Sequence, residues 1–423
     1  MIRYFYFLVL FILVKQTTAQ TSKAELFSQI EKAGGVHFAY PEHEIGPQSP
    51  VPDGYSAFYV SHLGRHGSRY LISDEDYKSI IDIFETAARK NELTPLGRKV
   101  LERLNILWKE VQWRGGDLSP RGVREQRGIA SRLYGSYPQL FGKASKVTAC
   151  ATTVVRCVLS MDAFCERIKE FSPETHIDRN SGEKWQRFLN HHTKEAVAYR
   201  SAADTWKPGY NKFEKAHVKP QRMMVGLFTS SKSVEKLMSA EKIMWGLFAI
   251  AEGIQNVETK LSFFDVFTKD ELVDLWKCKN LKTYLNDGNS ALSKGMMMEN
   301  AKPLLRSILD SAEQIISRGG RGADFRFAHD GNIIPLAMLL HLKGCYSSVG
   351  NPDKVYEAWS DFKVAPMAGN IQFVFFRKKE GHPDDILVKI LLHENEITVP
   401  PVKTVDGVYY RWKDLRQFYE SLF

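Results

Sequence analysis

The run Val60-Ser61-His62-Leu63-Gly64-Arg65-His66-Gly67-Ser68-Arg69-Tyr70 separates two different side-chain periodicities. Before it, Tyr55 to Val60 is rich in aromatic and β-branched residues, the composition of a strand. After it, Ser73-Asp74-Glu75-Asp76 is a good helix start, and Tyr77, Ile80, Ile81 and Phe84 follow at helical spacing. Arg65, His66 and Arg69 are therefore expected on a loop at the C-terminal end of a strand, just ahead of a helix. In open α/β sheets that is where ligands bind.

The chemistry of this loop is specific. Two guanidiniums bracket one imidazole. Guanidinium matches phosphate bidentately, and each charge-assisted bond contributes about 1.5–3 kcal/mol net. The same charges disfavour the imidazolium, lowering the pKa of His66 and leaving a ring nitrogen lone pair free to attack. Gly64 and Gly67 are expected to let backbone come close to whatever the loop holds. A lone histidine in a basic turn is more often structural. The flanking arginines turn the reading towards an anion site.

Two later stretches repeat the pattern. Lys146 to Ala151 reads as a short strand and Thr153 onward as its helix, which puts Arg156 in a first helical turn. There its charge opposes the helix dipole unless an anion sits nearby. Asp324 to Ala328 reads as a strand, His329-Asp330-Gly331 as a turn and Ile333 to Leu342 as a helix. Two such loops on neighbouring parallel strands would meet at one rim of the sheet.

Arg65-His66-Gly67-Ser68-Arg69 resembles the nucleophile signature of the histidine phosphatase superfamily. More narrowly it is similar to the histidine acid phosphatase branch, which includes phytases and multiple inositol polyphosphate phosphatases. Ala151-Thr152-Thr153-Val154-Val155-Arg156-Cys157-Val158-Leu159-Ser160 resembles that branch's second arginine motif, and Phe327-Ala328-His329-Asp330-Gly331-Asn332 its proton-donor motif. The resemblance implies a phosphomonoester hydrolase working through a phosphohistidine, with His66 as nucleophile and Asp330 as proton donor. Arg65, Arg69, Arg156 and His329 would hold the phosphoryl oxygens, with no metal and no cofactor. Asp330 must be protonated to donate. Arginines push its pKa down and a bound dianion pushes it up, so activity is expected to favour acidic pH.

The expected substrates are small organic phosphates, inositol phosphates such as phytate foremost. The tract Asn370 to Phe376 with Leu387-Val388-Lys389 resembles the inositol polyphosphate phosphatase branch. That branch, however, typically carries a short His-x-Glu arrangement where this chain has His329-Asp330. Leu71 stands where the first signature usually has proline. Arg167, Lys169, Arg179, Lys184 and Arg187 are candidate substrate contacts, and a solvated helix face explains each of them equally well. Alternatives are a general acid phosphatase on sugar phosphates, a phosphomutase, and a non-catalytic exported binding protein for phosphorylated ligands. A binding protein would need the arginines but neither His66 nor Asp330.

The whole chain bounds these readings. It has 423 residues, 43% hydrophobic and 25% charged, which suits a globular protein with ample core. Its formal charge of +9 suits anionic ligands. No Lys/Arg block, zinc spacing or interleaved aromatic stripe points to nucleic acid. Arg3 precedes an apolar run from Tyr4 to Val14, too short for the roughly 20 residues of a membrane span. With Thr17-Thr18-Ala19 as a cleavage site, residues 1–20 read as an export signal, and the mature protein as periplasmic or secreted without membrane insertion.

His62-x-x-x-His66 has metal-ligand spacing only in a helix, and Gly64, Gly67 and the preceding strand argue against one. His191-His192 would point apart. The five cysteines are no disulfide scaffold. Cys157 and Cys165 would lie about 12 Å apart along a helix, beyond the roughly 7 Å that a bridge spans, and a bridge elsewhere stays open.

The fold class expected is α/β, a mainly parallel sheet flanked by helices, with an inserted, mostly helical cap. Residues 21–170 and 321–423 would form the core and 171–320 the cap. Within the cap, Val234 to Ile254 reads as one long helix, Thr268-x-x-Glu271 as a capping box, and Leu304 to Ile316 as a helical stripe ending at Gly319-Gly320. Thr94-Pro95 and Ser119-Pro120 read as ordinary helix openings. Asn370 to Arg377 and Ile386 to Leu392 read as late, antiparallel strands, and Tyr410 to Leu422 as a terminal amphipathic helix.

Overall fold

The computed structural model describes residues 19–378 and 385–423. The apolar run of the expected export signal lies outside the described residues. The strands are β1 (Tyr55–Arg65), β2 (Lys146–Ala151), β3 (Ile177–Asn180), β4 (Gly322–Ala328), β5 (Asn370–Lys378), β6 (Ile386–Leu392), β7 (Asn395–Ile397) and β8 (Tyr409–Arg411). They form one sheet in the order β3-β2-β4-β1-β5-β6-β7, with β8 on β6. The first four in that order run parallel, and β5 to β8 add an antiparallel half. This is the expected α/β class.

β1 is central, and its alternate residues face two apolar layers. Val60 joins Ile129, Leu133, Phe164 and Ile168 of the helices Pro120–Ser136 and Val155–Phe171 on one side. Tyr59 and Leu63 join Leu305, Ile308 and Ile334 of Lys302–Ser317 and Asp330–Leu339 on the other. That second cluster runs unbroken into the helical layer through Ile80, Leu247 and Trp276.

Several elements depart from the sequence reading, each for a local reason. β1 continues through Arg65, so that residue ends the strand instead of lying on the loop. β3 lies inside the stretch expected to be helical and pairs with β2. Conversely, the helices Glu75–Arg89 and Pro95–Val111 pack on Ala240–Gly253 and Gln221–Leu227, so the helical layer also draws on residues before 171. The long helix expected over 234–254 is broken. Ser239 accepts a hydrogen bond from the Lys242 N–H and starts a new helix, Ala240–Gly253. The helix after the third motif begins at Asp330, and the terminal one spans Trp412–Glu420 because Tyr409–Arg411 pairs with β6. The Thr268/Glu271 capping box forms, and Thr94 and Ser119 cap their helices. All five cysteines are free thiols.

His62 belongs to the core. It is 0% exposed, packs on Phe164 at 5.1 Å and Phe327 at 5.7 Å between ring centroids, and among the described residues neither ring nitrogen has a hydrogen-bond partner. Gly64 makes room for it, since a Cβ there would come within 2.8 Å of His62 Nε2. Burial, helped by Arg326, lowers the His62 pKa from 6.5 to about 3. The unfolded chain therefore takes up a proton first as pH falls below 6.5, and stability is lost down to about pH 3. Each unit crossed removes up to about 1.4 kcal/mol. His62→Leu is expected to raise the melting temperature and to flatten its decline across that window, as scanning calorimetry at pH 7, 5 and 4 would show. A variant melting lower than the parent at every pH would contradict this.

Candidate active site

The register Arg65↔Ala328 between β1 and β4 makes the first and third motifs neighbours. His66 N–H donates to the Ala328 carbonyl at 3.0 Å, and the His66 carbonyl accepts from Ala368 N–H at 3.0 Å. Thr152 N–H donates to the Phe327 carbonyl at 3.0 Å and brings the second motif alongside. His66 and His329 consequently stand edge to face, 5.5 Å between ring centroids.

The His66 ring has a defined proton. Its Nδ1 lies 2.9 Å from the Gly67 carbonyl oxygen, which can only accept, so Nδ1 carries the hydrogen and Nε2 keeps its lone pair. Burial, then Arg65, Arg156 and Arg69, lower the pKa well below 6.5. The imidazole is thus neutral and buried, and Nε2 is the nitrogen free to form a bond.

The loop is held from below. Ser68 N–H donates to Glu125 Oε2 at 2.7 Å, Ser68 Oγ lies 2.7 Å from Glu125 Oε1, and Gln126 Nε2 donates to the Arg65 carbonyl at 2.9 Å. Gly67 N–H donates to Ser160 Oγ at 3.1 Å. A Cβ on Gly67 would lie 2.4 Å from the Gly122 carbonyl oxygen. Gly64 and Gly67 therefore accommodate a ring and a helix start of the protein itself, and not the close approach of a ligand. Likewise, the Ser119-Pro120 opening does more than cap a helix, because Ser119 N–H and Oγ both donate to the Ser68 carbonyl.

Three arginines bear on His66, and one of them meets a carboxylate. Arg65 is 1% exposed and donates to the carbonyls of Val36 and Ala365 and, at 3.2 Å, to Asp330 Oδ2. Burial lowers its pKa despite that carboxylate. Arg69 donates to the Tyr70 carbonyl at 2.8 Å and is lowered to about 10 by burial and by Arg65. Arg156 is half-buried in the first turn of its helix, and its charge bears on His66, Arg65 and His329. Each of the three keeps a buried Nε without a partner among the described residues. Unspent donors and surplus positive charge together make an anion site.

His329 stands 3.2 Å from Thr152 Oγ1, and its pKa falls to about 4 through burial, with Asp330 opposing. Asp330 opens its helix, accepts from Gly331 N–H at 3.0 Å and is 35% exposed. Burial pushes its pKa up, but Arg65, His329, Arg69 and His37 outweigh burial and hold it at about 2. His37, from the N-terminal arm, also reaches Arg69.

The five candidate substrate contacts lie on the helix Val155–Phe171, on β3 and on the helix Glu183–Leu189. Arg167 pairs with Glu170 at 2.7 Å, and Lys169 donates to the Thr175 carbonyl at 2.9 Å. Arg179 pairs with Asp162. Arg179, Lys184 and Arg187 line a cavity of about 620 Å³ on the sheet face with Thr148, Asp324 and Arg326. β3 runs parallel to β2 with Asn180 opposite Cys150, and Ser181 Oγ donates to the Thr152 carbonyl at 3.1 Å, so these three residues lie on elements that flank the second motif. Among the described residues no group of three or more His, Cys, Asp or Glu could hold a metal ion.

No curated protein matches the chain in sequence. Among solved structures, the multiple inositol polyphosphate phosphatase of Bifidobacterium longum, in complex with inositol hexasulfate, is similar at 18% identity and a TM-score of 0.74. The likeness covers 92% of this chain and 97% of that one. The phytase from D. castellii is 15% identical with a TM-score of 0.64, over 93% of this chain and 85% of that one. The phytase of Klebsiella sp. ASR1 is 12% identical with a TM-score of 0.53, over 87% and 96%. At these identities the likeness is one of fold. A sequence profile of the histidine phosphatase superfamily (branch 2) matches residues 59–393, from β1 through all three motifs, and by that match the chain belongs to this superfamily and is a phosphatase.

Proposed function

We propose that the protein hydrolyses small phosphate monoesters, inositol polyphosphates such as phytate above all, through a phosphohistidine on His66. The observation that carries this is the proton held on His66 Nδ1 by the Gly67 carbonyl, which leaves Nε2 free beside Arg65, Arg69, Arg156 and Asp330. Nε2 attacks phosphorus in line and the ester P–O bond breaks. Asp330 gives its proton to the leaving oxygen. The resulting carboxylate takes a proton from water as that water attacks the phosphohistidine, which releases orthophosphate and restores His66. Arg65, Arg69, Arg156 and His329 hold the three phosphoryl oxygens.

Asp330 sits at about 2 in the free site, so its protonated form depends on acid and on a bound dianion that offsets the arginines. The rate is expected to rise from pH 8 towards pH 5. A rate still climbing above pH 8 would remove Asp330 as donor. The net charge of +9 and the fold shared with a multiple inositol polyphosphate phosphatase and phytases support a polyanionic ester. We read residues 1–20 as directing export, and no described helix is long and apolar enough to cross a membrane. An exported chain fits hydrolysis better than sugar phosphate mutation.

Phosphate release measured across phytate, sugar phosphates and nucleotides between pH 4 and 7 tests the proposal. Phytate is expected to be turned over fastest. Equal rates on sugar phosphates would favour a general acid phosphatase, and no release from any ester would leave a binding protein.

A further inference from the structure

The N-terminal arm reaches the site in a way the chemistry above does not use. It ends a short helical segment, Ile30–His37, with Gly35 in the left-handed region at φ 57°. The His37 carbonyl accepts from Asn256 Nδ2 at 2.9 Å, and Ser68 Oγ donates to Asn256 Oδ1 at 2.8 Å. One asparagine thus ties the arm to the His66 loop. His37 Nε2 then lies 3.1 Å from Arg69 Nη2, and His37 Nδ1 lies 2.7 Å from Glu252 Oε1.

The donor count decides the tautomer. A guanidinium can only donate, so His37 Nε2 is the acceptor; of the two groups near Nδ1, Glu252 Oε1 at 2.7 Å and Lys279 Nζ at 3.3 Å, the nearer carboxylate oxygen takes its hydrogen. Lys279 Nζ donates to the same Glu252 oxygen, which steadies it. Glu252 is 1% exposed, and among the described residues its Oε2 has no partner. Burial raises its pKa to about 7, with Lys279 and Arg69 opposing. A proton gained by Glu252 would go to the unpaired Oε2, so Oε1 accepts from His37 in either state. The arrangement follows the logic of a catalytic triad, in which a carboxylate orients an imidazole. Here the imidazole orients a guanidinium.

We infer that His37, oriented by Glu252, is a positioning residue that holds the Arg69 guanidinium in the plane in which it receives the phosphoryl group. It rests on the phosphohistidine reading above. Arg69 has two fixed points, the Tyr70 carbonyl and His37, and its remaining N–H groups are left for the anion. Without the second point the guanidinium can swing about the first, and a misplacement of about 1 Å can cost about a hundredfold in rate.

The device carries its own pH signature. His37 faces Glu252 and Lys279 from the helical layer, Arg69 and Arg65 from the loop and strand, and Asp330 from across the site. Burial, then Lys279, Arg69 and Arg65, keep it neutral well below pH 6.5. Once protonated, Nε2 would present a hydrogen to a guanidinium and the anchor would be lost. Activity therefore falls on the acid side as His37 takes up a proton.

His37→Ala and His37→Gln separate positioning from mere packing. With p-nitrophenyl phosphate, the alanine variant is expected to lose about ten- to a hundredfold in kcat/KM. Glutamine carries an amide oxygen that can accept from Arg69 and does not titrate. It is expected to recover most of the rate and to hold it further into acid than the parent. Alanine kinetics and an acid limb identical to the parent's would overturn the inference, as would a glutamine variant no better than alanine. If the alanine variant does not fold, the acid limb of the glutamine variant alone decides. If the parent releases no phosphate from any ester, the hydrolase reading fails instead. Calorimetric binding of orthophosphate still tests His37 in that case, with weaker binding expected for alanine, recovery for glutamine, and equal binding in all three counting against it.

Discussion

His66→Ala is expected to lower phosphate release from both p-nitrophenyl phosphate and phytate by about 10⁴-fold or more, the scale seen when a covalent nucleophile is removed. The arginines would still bind the ester and orient it, so a residue of rate above water should remain. The fold should survive the change. Among the described residues the ring's hydrogen bond is to the carbonyl of the next residue, and losing it costs about 1 kcal/mol. The backbone clamps to Ala328 and Ala368 do not involve the side chain. A melting temperature within a few degrees of the parent's, together with lost turnover, would separate chemistry from folding. Turnover near the parent's would remove His66 as nucleophile.

Asp330→Asn should cost less overall but show more discrimination between substrates. An alkoxide leaving group needs a proton and a nitrophenolate hardly does. The variant is therefore expected to lose about 10²–10⁴-fold on phytate or a sugar phosphate and far less on p-nitrophenyl phosphate. An equal drop on both would make Asp330 only the counter-charge of Arg65. That second role has its own readout. The Asp330 pKa is lowered from 3.8 to about 2, so the carboxylate lends stability that is present above pH 3.8 and lost as pH falls towards 2. Asparagine should flatten that part of the stability curve. The effect is modest, because Asp330 is 35% exposed and solvent screens the pair.

Much of the site was legible before any coordinates. Arg65, His66 and Arg69 lie within five residues, and a strand period that gives way to a helix period marks the turn between them. Arg156 announced itself by a charge of the wrong sign for a first helical turn. The five basic residues proposed as substrate contacts were read from charge alone. Charge alone does not say where a side chain points, and the structure turns Arg179 towards Asp162 and Arg167 towards Glu170. His37 escaped for a different reason. Its segment carries a pair of glycines and a single histidine, and nothing local marks it as the partner of an arginine 32 residues away.

Local order in this chain was therefore written in its residues. The strand before each motif, the helix after it, the caps at Thr94, Ser119 and Thr268, and the choice of candidate site residues all depend on neighbours a few positions apart. Only the tertiary structure decided which nitrogen of His66 holds the proton, that Arg65 spends part of its charge on Asp330, and that His37 and Glu252 stand behind Arg69. Arg65 and Asp330 are 265 positions apart, and they meet because β1 and β4 pair in one register out of many. That register is chosen by the burial of both strand faces at once, a property of the whole sheet that no short stretch of sequence contains.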